Sequence, residues 1–169
     1  MSFIYAMSDI HGYYREMYKL FDQLGNLHPM MDGKDKLILL GDYIDGGTDS
    51  LKTIEKIFIL QESYPENIIA LRGNHEDMFL DFLDGKDEAW LGADVDFKTS
   101  KTFLNEEQFK NVRELAIEGN LRKVYSYVRE SMKKNHKDLI NWMRKLPYYF
   151  ETENQIYIHA GVDEEAEDY

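Results

Sequence analysis

An α/β fold with parallel strands joined by crossover helices is what this sequence predicts. Short apolar runs alternate with stretches of helical periodicity through the first half, and each run stops at a turn rich in Gly and Asp. Phe3 to Ser8, Lys36 to Leu40 and Ile68 to Arg72 read as strands, and Gln155 to His159 reads as a fourth. Between them, Tyr14 to Leu24 and Ser50 to Gln61 place apolar residues such as Leu51, Ile54, Ile57 and Phe58 at helical spacing. The stretch from Leu83 to Leu146 is long, charged and mostly helical. Asn105 before Glu106, Glu107 and Gln108 marks a helix start, and Val112, Leu115 and Ala116 continue its face. Leu121, Val124, Tyr125 and Val128 form another apolar stripe, followed by Leu139, Ile140, Trp142 and Met143; both stripes read as helix packing. Pro147 ends the segment.

At 169 residues the chain suits one domain, expected over residues 1–162 with 83–146 as a helical cover and 163–169 as a solvated acidic tail. With 43% hydrophobic and 14% aromatic residues it can build a core. A mean hydropathy of −0.55 and the lack of a run of ~20 apolar residues exclude a membrane-resident chain. The N-terminal stretch has no signal-peptide pattern, so a cytoplasmic location is expected. A net charge of −12 leaves no excess of cations to grip nucleic acid phosphates. Without cysteine, a metal would have to be held by Asp, Glu, Asn or His.

Such residues sit where the strands end. Ser8-Asp9-Ile10-His11-Gly12 follows the first strand, Gly41-Asp42-Tyr43-Ile44-Asp45-Gly46-Gly47 the second and Gly73-Asn74-His75-Glu76 the third; His159-Ala160-Gly161 closes the fourth. Ligands gather beyond the carboxyl ends of strands in open α/β sheets, so Asp9, His11, Asp42, Asn74 and His159 are expected to converge. Any one motif alone reads equally well as turn chemistry, because Asp and Asn before Gly favour turns. Together they form a mixed oxygen and nitrogen donor set suited to Mn, Fe, Zn, Co or Ni rather than calcium. His28 and His136 match no motif and are expected at the surface. Arg72 reads as an ion-pair or packing residue, with a contact to substrate phosphate as the other option.

The ordered set Asp9-Ile-His11-Gly, Gly41-Asp-Tyr-Ile-Asp45, Arg72-Gly-Asn-His-Glu76 and His159-Ala-Gly resembles the calcineurin-like metallophosphoesterases. The nearest branch is that of the phosphoprotein phosphatases, with the bacterial and lambda-phage protein phosphatases and the symmetrical diadenosine tetraphosphate hydrolases. The resemblance implies a metallophosphoesterase-type β-sandwich flanked by helices. It implies two divalent metal ions, Mn above all, one held by Asp9, His11 and Asp42 and a second by the bridging Asp42 with Asn74 and His159. A metal-activated hydroxide would then attack phosphorus in line. His75 would be the general acid and Asp45 its carboxylate partner. The implied substrate is a phosphorylated protein or small phosphate ester, with diadenosine tetraphosphate or another nucleotide as the alternative.

Two departures stand out. Gly46 occupies a position where that branch carries a phosphate-binding arginine, which predicts weaker phosphate binding unless Arg15, Arg72 or a lysine substitutes. No histidine follows Gly161 to complete the second metal shell, so the C-terminal part of the second sheet is expected to be missing and the second site weak, unless Asp163, Glu164 or Glu165 replaces the ligand. These departures also frame a further alternative, a weakly active chain that serves as a binding module.

Overall fold

The structure is a computed structural model that describes residues 2–161. Three parallel strands, β1 (Ile4–Met7), β2 (Lys36–Leu39) and β3 (Ile68–Ala70), form a sheet in the order β1-β2-β3. The register pairs Met7 with Leu39 and Leu39 with Ala70, so all three strands finish at one level. The β1-to-β2 crossover contains α1 (Tyr14–Gln23) and the short α2 (His28–Met31), and α3 (Ser50–Ser63) crosses from β2 to β3.

Strand β2 is buried on both faces, as expected of a central parallel strand. Leu37 and Leu39 enter the main core with Ile54, Ile57 and Leu60 of α3, whereas Ile38 points the other way and joins Ile69 and Leu71. The main core continues through α4 (Asn74–Asp84), α5 (Ala89–Ala93), α6 (Glu106–Ile117), α7 (Leu121–Asn135) and α8 (Lys137–Met143). Asn105 caps α6 as expected: its Oδ1 accepts from the Gln108 N–H at 2.8 Å, and the Gln108 side chain accepts from the Asn105 N–H at 3.0 Å.

The fourth expected strand is present as β5 (Ile156–Ile158), and it pairs antiparallel with β4 (Tyr149–Glu151), a strand absent from the sequence reading, in a second sheet. Phe150 and Tyr157 of this hairpin pack on Ile38, Ile69 and Leu71. Helices therefore cover one face of the parallel sheet and the hairpin covers the other, which is a layered α/β arrangement with a two-stranded second sheet among the described residues. Two smaller expectations also change. Leu121 is exposed, and His136 is half-buried, its Nε2 lying 2.9 Å from the Phe103 carbonyl. His28 is exposed as expected. The acidic run 163–169 lies outside the described residues. No helix among the described residues is long and apolar enough to cross a membrane.

Candidate metal centre and its acid pair

The loops after β1 and β2 continue the sheet's pairing beyond the strands themselves. The backbone N–H of Asp9 donates to the Gly41 carbonyl, that of His11 to Asp42 at 2.9 Å and that of Gly12 to Tyr43 at 2.7 Å. Within this frame Asp9, His11, Asp42 and Asp45 all adopt left-handed φ values, between 47° and 72°. Short polar residues tolerate that region best, at a cost of order 1 kcal/mol each, and such strain concentrates at functional sites. A run of Asp and His beside Gly is thus both turn chemistry and a way to aim side chains off the sheet.

Helix α4 supplies the third edge. Gly73 precedes it, and a Cβ there would lie 2.2 Å from Asp42 Oδ1, so only glycine lets the helix start against the β2 loop. Asn74 and His75 occupy the first turn, where the His75 N–H donates to Asp42 Oδ1 at 3.1 Å. The Glu76 side chain, fully buried, accepts from the N–H groups of Asp42 at 2.8 Å, Tyr43 at 2.8 Å and Gly73 at 3.0 Å. Burial pushes its pKa up, against the three donors. This clamp was not read from the sequence, where a Glu at the third helical position looks like an ordinary cap.

Asp42, 4% exposed, is the hub. Its Oδ2 lies 3.2 Å from His159 Nε2, 3.8 Å from His11 Nε2 and 3.9 Å from His75 Nε2. Asp9 Oδ1 is 3.7 Å from His11 Nε2, and Asn74 Oδ1 is 3.0 Å from His159 Nε2. The structure therefore brings Asp9, His11, Asp42, Asn74, His75 and His159 into one neighbourhood. Helix α4 and the β5 hairpin meet there although His159 and Asn74 are 85 residues apart.

Whether these residues suit a cation can be judged from the imidazoles. The His11 Nδ1–H donates to the Ile44 carbonyl at 3.0 Å, which leaves the Nε2 lone pair facing the carboxylates. His159 Nδ1 is buried with no partner among the described residues, in a site otherwise well bonded. Separations of 3.7 to 3.9 Å between potential donor atoms are too long for hydrogen bonds and short enough for atoms around a common ion. The donor set fits a divalent transition metal. Among the described residues, the ligand atoms of His11, Asp42 and His75 also lie within 4.8 Å of one another. That grouping would make His75 a ligand.

A second set of contacts singles His75 out. Its Nδ1–H donates to Asp45 Oδ2 at 2.7 Å, and the same oxygen accepts from the Trp90 indole N–H at 3.0 Å. Burial pulls the His75 pKa down, but the Asp45 hydrogen bond and the charges of Asp42, Asp45 and Glu76 outweigh it, and the net shift is upward. Trp90 went unnoticed in the sequence because it lies in the five-residue helix α5, 45 positions from its partner.

Arg72 takes its ion-pair reading. Its guanidinium bonds Asp77 at 3.2 Å, the Tyr148 hydroxyl at 3.0 Å and the Arg144 carbonyl, and it stacks 4.8 Å from the centre of the Tyr148 ring. These contacts knit α4, α8 and the β4 hairpin together. Arg15 is exposed on α1.

The calcineurin-like phosphoesterase family model matches residues 4–164. The chain belongs to that family. Membership implies divalent metal ions. Over 68 residues the chain is 43% identical to a serine/threonine-protein phosphatase, SIT4, of Candida albicans, covering 40% of this chain and 21% of that protein. Over 73 residues it is 40% identical to the serine/threonine-protein phosphatase PP1-delta of Caenorhabditis elegans, covering 43% of this chain and 22% of that protein. The matched stretch thus spans about a fifth of the length of these relatives. Among solved structures, a serine/threonine phosphatase of Saccharomyces cerevisiae aligns with a TM-score of 0.43 at 19% identity, over 88% of this chain and 37% of that one.

Proposed function

We propose that this chain hydrolyses phosphate monoesters, with serine/threonine phosphoproteins as the substrate class, using two divalent cations of which Mn is the leading choice. The meeting of Asp9, His11, Asp42, Asn74 and His159 around one carboxylate, beside a His75–Asp45 pair, carries this reading. Family membership and the names of its partial relatives support it. In this proposal Asp9, His11 and Asp42 hold one ion, and Asp42, Asn74 and His159 hold the other. Residues 1–162 form the catalytic unit with 83–146 as its cover. A cytoplasmic setting agrees with the absence of a membrane-crossing helix among the described residues and of any cysteine in the chain.

Bound cations would supply Lewis-acid charge for phosphoryl oxygens and acidify a water molecule. The chain's own contribution is proton handling and placement. Asp45 fixes one proton on His75 Nδ1, and the upward shift of the ring's pKa favours a second on Nε2, the nitrogen turned toward Asp42 and the centre. That proton passes to the departing ester oxygen, and the imidazole returns to neutral. Asp45 is itself held by the Trp90 indole, so the ring is fixed in place during the transfer. The four strained residues and the Glu76 clamp set the hub before substrate arrives, so little reorganisation opposes the reaction.

The test is chelation, reloading with Mn and assay on p-nitrophenyl phosphate, a phosphothreonine peptide and diadenosine tetraphosphate. Expected are metal-dependent turnover and preference for the peptide over the dinucleotide. His75→Asn should keep its metal and lose about 10²–10⁴ in kcat on the peptide, with a smaller loss on the aryl ester, whose nitrophenolate departs without a proton. Equal kcat for His75→Asn and wild type removes the acid role. Loss of metal in that variant makes His75 a ligand. Fewer than about one ion per chain with no turnover leaves the binding-module reading.

A further inference from the structure

Beside the His75–Asp45 pair lies a cavity of about 340 Å³, walled on one side by Met78, Trp90 and Val95. Among the described residues, Lys98 is the only lysine or arginine that lines it. A phosphate monoester arrives there with close to two negative charges, into a wall that also carries the carboxylates of Asp45 and Asp94. Positive charge on that side is an electrostatic requirement.

Lys98 is positioned to provide it. Its Nζ donates to the Gly46 carbonyl, one residue from Asp45. An ammonium has three donors, so two remain for a ligand. Its backbone is fixed from behind: the Asp94 carboxylate accepts from the N–H of Thr99 at 2.8 Å and of Ser100 at 2.7 Å, and both residues are buried. Phe97, next to Lys98, packs edge-on against Phe109 of α6 with ring centres 6.3 Å apart. Those bonds also turn the Asp94 charge into the loop. Gly46 itself has φ +73°, and a Cβ there would lie 3.3 Å from His11 Cβ, so position 46 is shaped to carry no side chain of its own. The cation crosses to it from the helical cover.

We propose that Lys98 is the residue that contacts the substrate's phosphoryl oxygens, so that the cover segment supplies the phosphate recognition which the β2 loop lacks. This rests on the phosphoesterase reading above. The experiment compares wild type, Lys98→Met and Lys98→Arg, each loaded with Mn. It reads KM and kcat on p-nitrophenyl phosphate, inhibition by inorganic phosphate, phosphate affinity by calorimetry, and thermal melting. Lys98→Met should raise KM and weaken phosphate binding about tenfold or more, the scale of one charge-assisted hydrogen bond, at an unchanged melting temperature. Lys98→Arg should stay within about threefold of wild type.

Phosphate affinity and KM of Lys98→Met within about twofold of an active wild type would overturn the assignment while leaving the hydrolase reading intact. A loss that follows lowered melting temperature, with phosphate affinity per folded molecule unchanged, would make Lys98 a strut to Gly46 and overturn it equally. A wild type that neither turns over nor binds phosphate would remove the hydrolase reading and this inference with it.

Discussion

Asp42 and His159 lie 3.2 Å apart, yet the protein holds them by different means. Asp42 sits in a loop stitched to the loop after β1 by backbone bonds, gripped by Glu76 and capped by the start of α4. His159 ends a two-stranded hairpin whose outer face is open, with Tyr149 and Ile156 each more than half exposed. Among the described residues its ring is tied in by Asn74 and Asp42, and its Nδ1 has no partner. The difference separates a rigid half of the centre, built by the β1 and β2 loops with α4, from a half that depends on side-chain contact. Preorganised ligands bind more tightly because less ordering is lost on binding. The two halves should therefore differ in metal affinity, the His159 half being the weaker.

The largest expected effect comes from loosening the rigid half. Glu76→Gln keeps the shape but leaves one carbonyl oxygen to serve the backbone N–H groups of Asp42, Tyr43, Ile44 and Gly73, and its amide brings a new donor toward them. Urea unfolding should show a loss of about 2–4 kcal/mol, the penalty for buried polar groups left without partners. A loss below about 0.5 kcal/mol, the usual range of surface changes, would mean that the clamp does not hold the β2 loop.

His159→Gln probes the other half. Its stability cost should stay under about 1 kcal/mol, since the hairpin's packing of Phe150 and Tyr157 on Ile38, Ile69 and Leu71 is untouched. A cost near that of Glu76→Gln would erase the contrast between the halves.

The smallest effect lies far from the centre, at the bidentate pair between Asp84 and Arg144, with contacts of 2.9 and 2.5 Å. The Arg144 hydrogen bonds hold the Asp84 carboxyl below its ordinary value, with burial opposing them. Because the folded value is the lower one, the pair's contribution is present above the unfolded value near ~3.9 and is lost as pH falls through the depressed folded value. Arg144→Met should cost under about 1 kcal/mol at pH 7, and its difference from wild type should vanish in acid. A difference that persists unchanged in acid would locate the effect in the packing of the Arg144 stem.

Much of this was legible in the chain itself because the signal was local. Apolar runs of four or five residues found the three parallel strands to within two residues at either end, and turn punctuation after them found Asp9, His11, Asp42, Asn74 and His75. The Asn105 cap was visible for the same reason, since its partner is three residues away. What escaped depends on distance. Sequence assigned Gln155 to His159 to a strand but could not tell which sheet it joins, because pairing with Tyr149–Glu151 is settled by the hairpin's packing on the far face of the sheet. Trp90 reaches Asp45 across 45 residues, and Lys98 reaches Gly46 across 52. Glu76 was in view throughout, but nothing in its spacing told that its carboxylate is buried and shared by two other loop positions.

One measurement bears most directly on the claim that a single carboxylate joins two halves of a metal centre: Mn stoichiometry and affinity by calorimetric titration of chelated wild type, Asp42→Ala and His159→Gln. Wild type should bind about two ions of unequal affinity, His159→Gln should keep only the tighter one, and Asp42→Ala should lose both. Full occupancy in Asp42→Ala, or loss of both ions in His159→Gln, would contradict it.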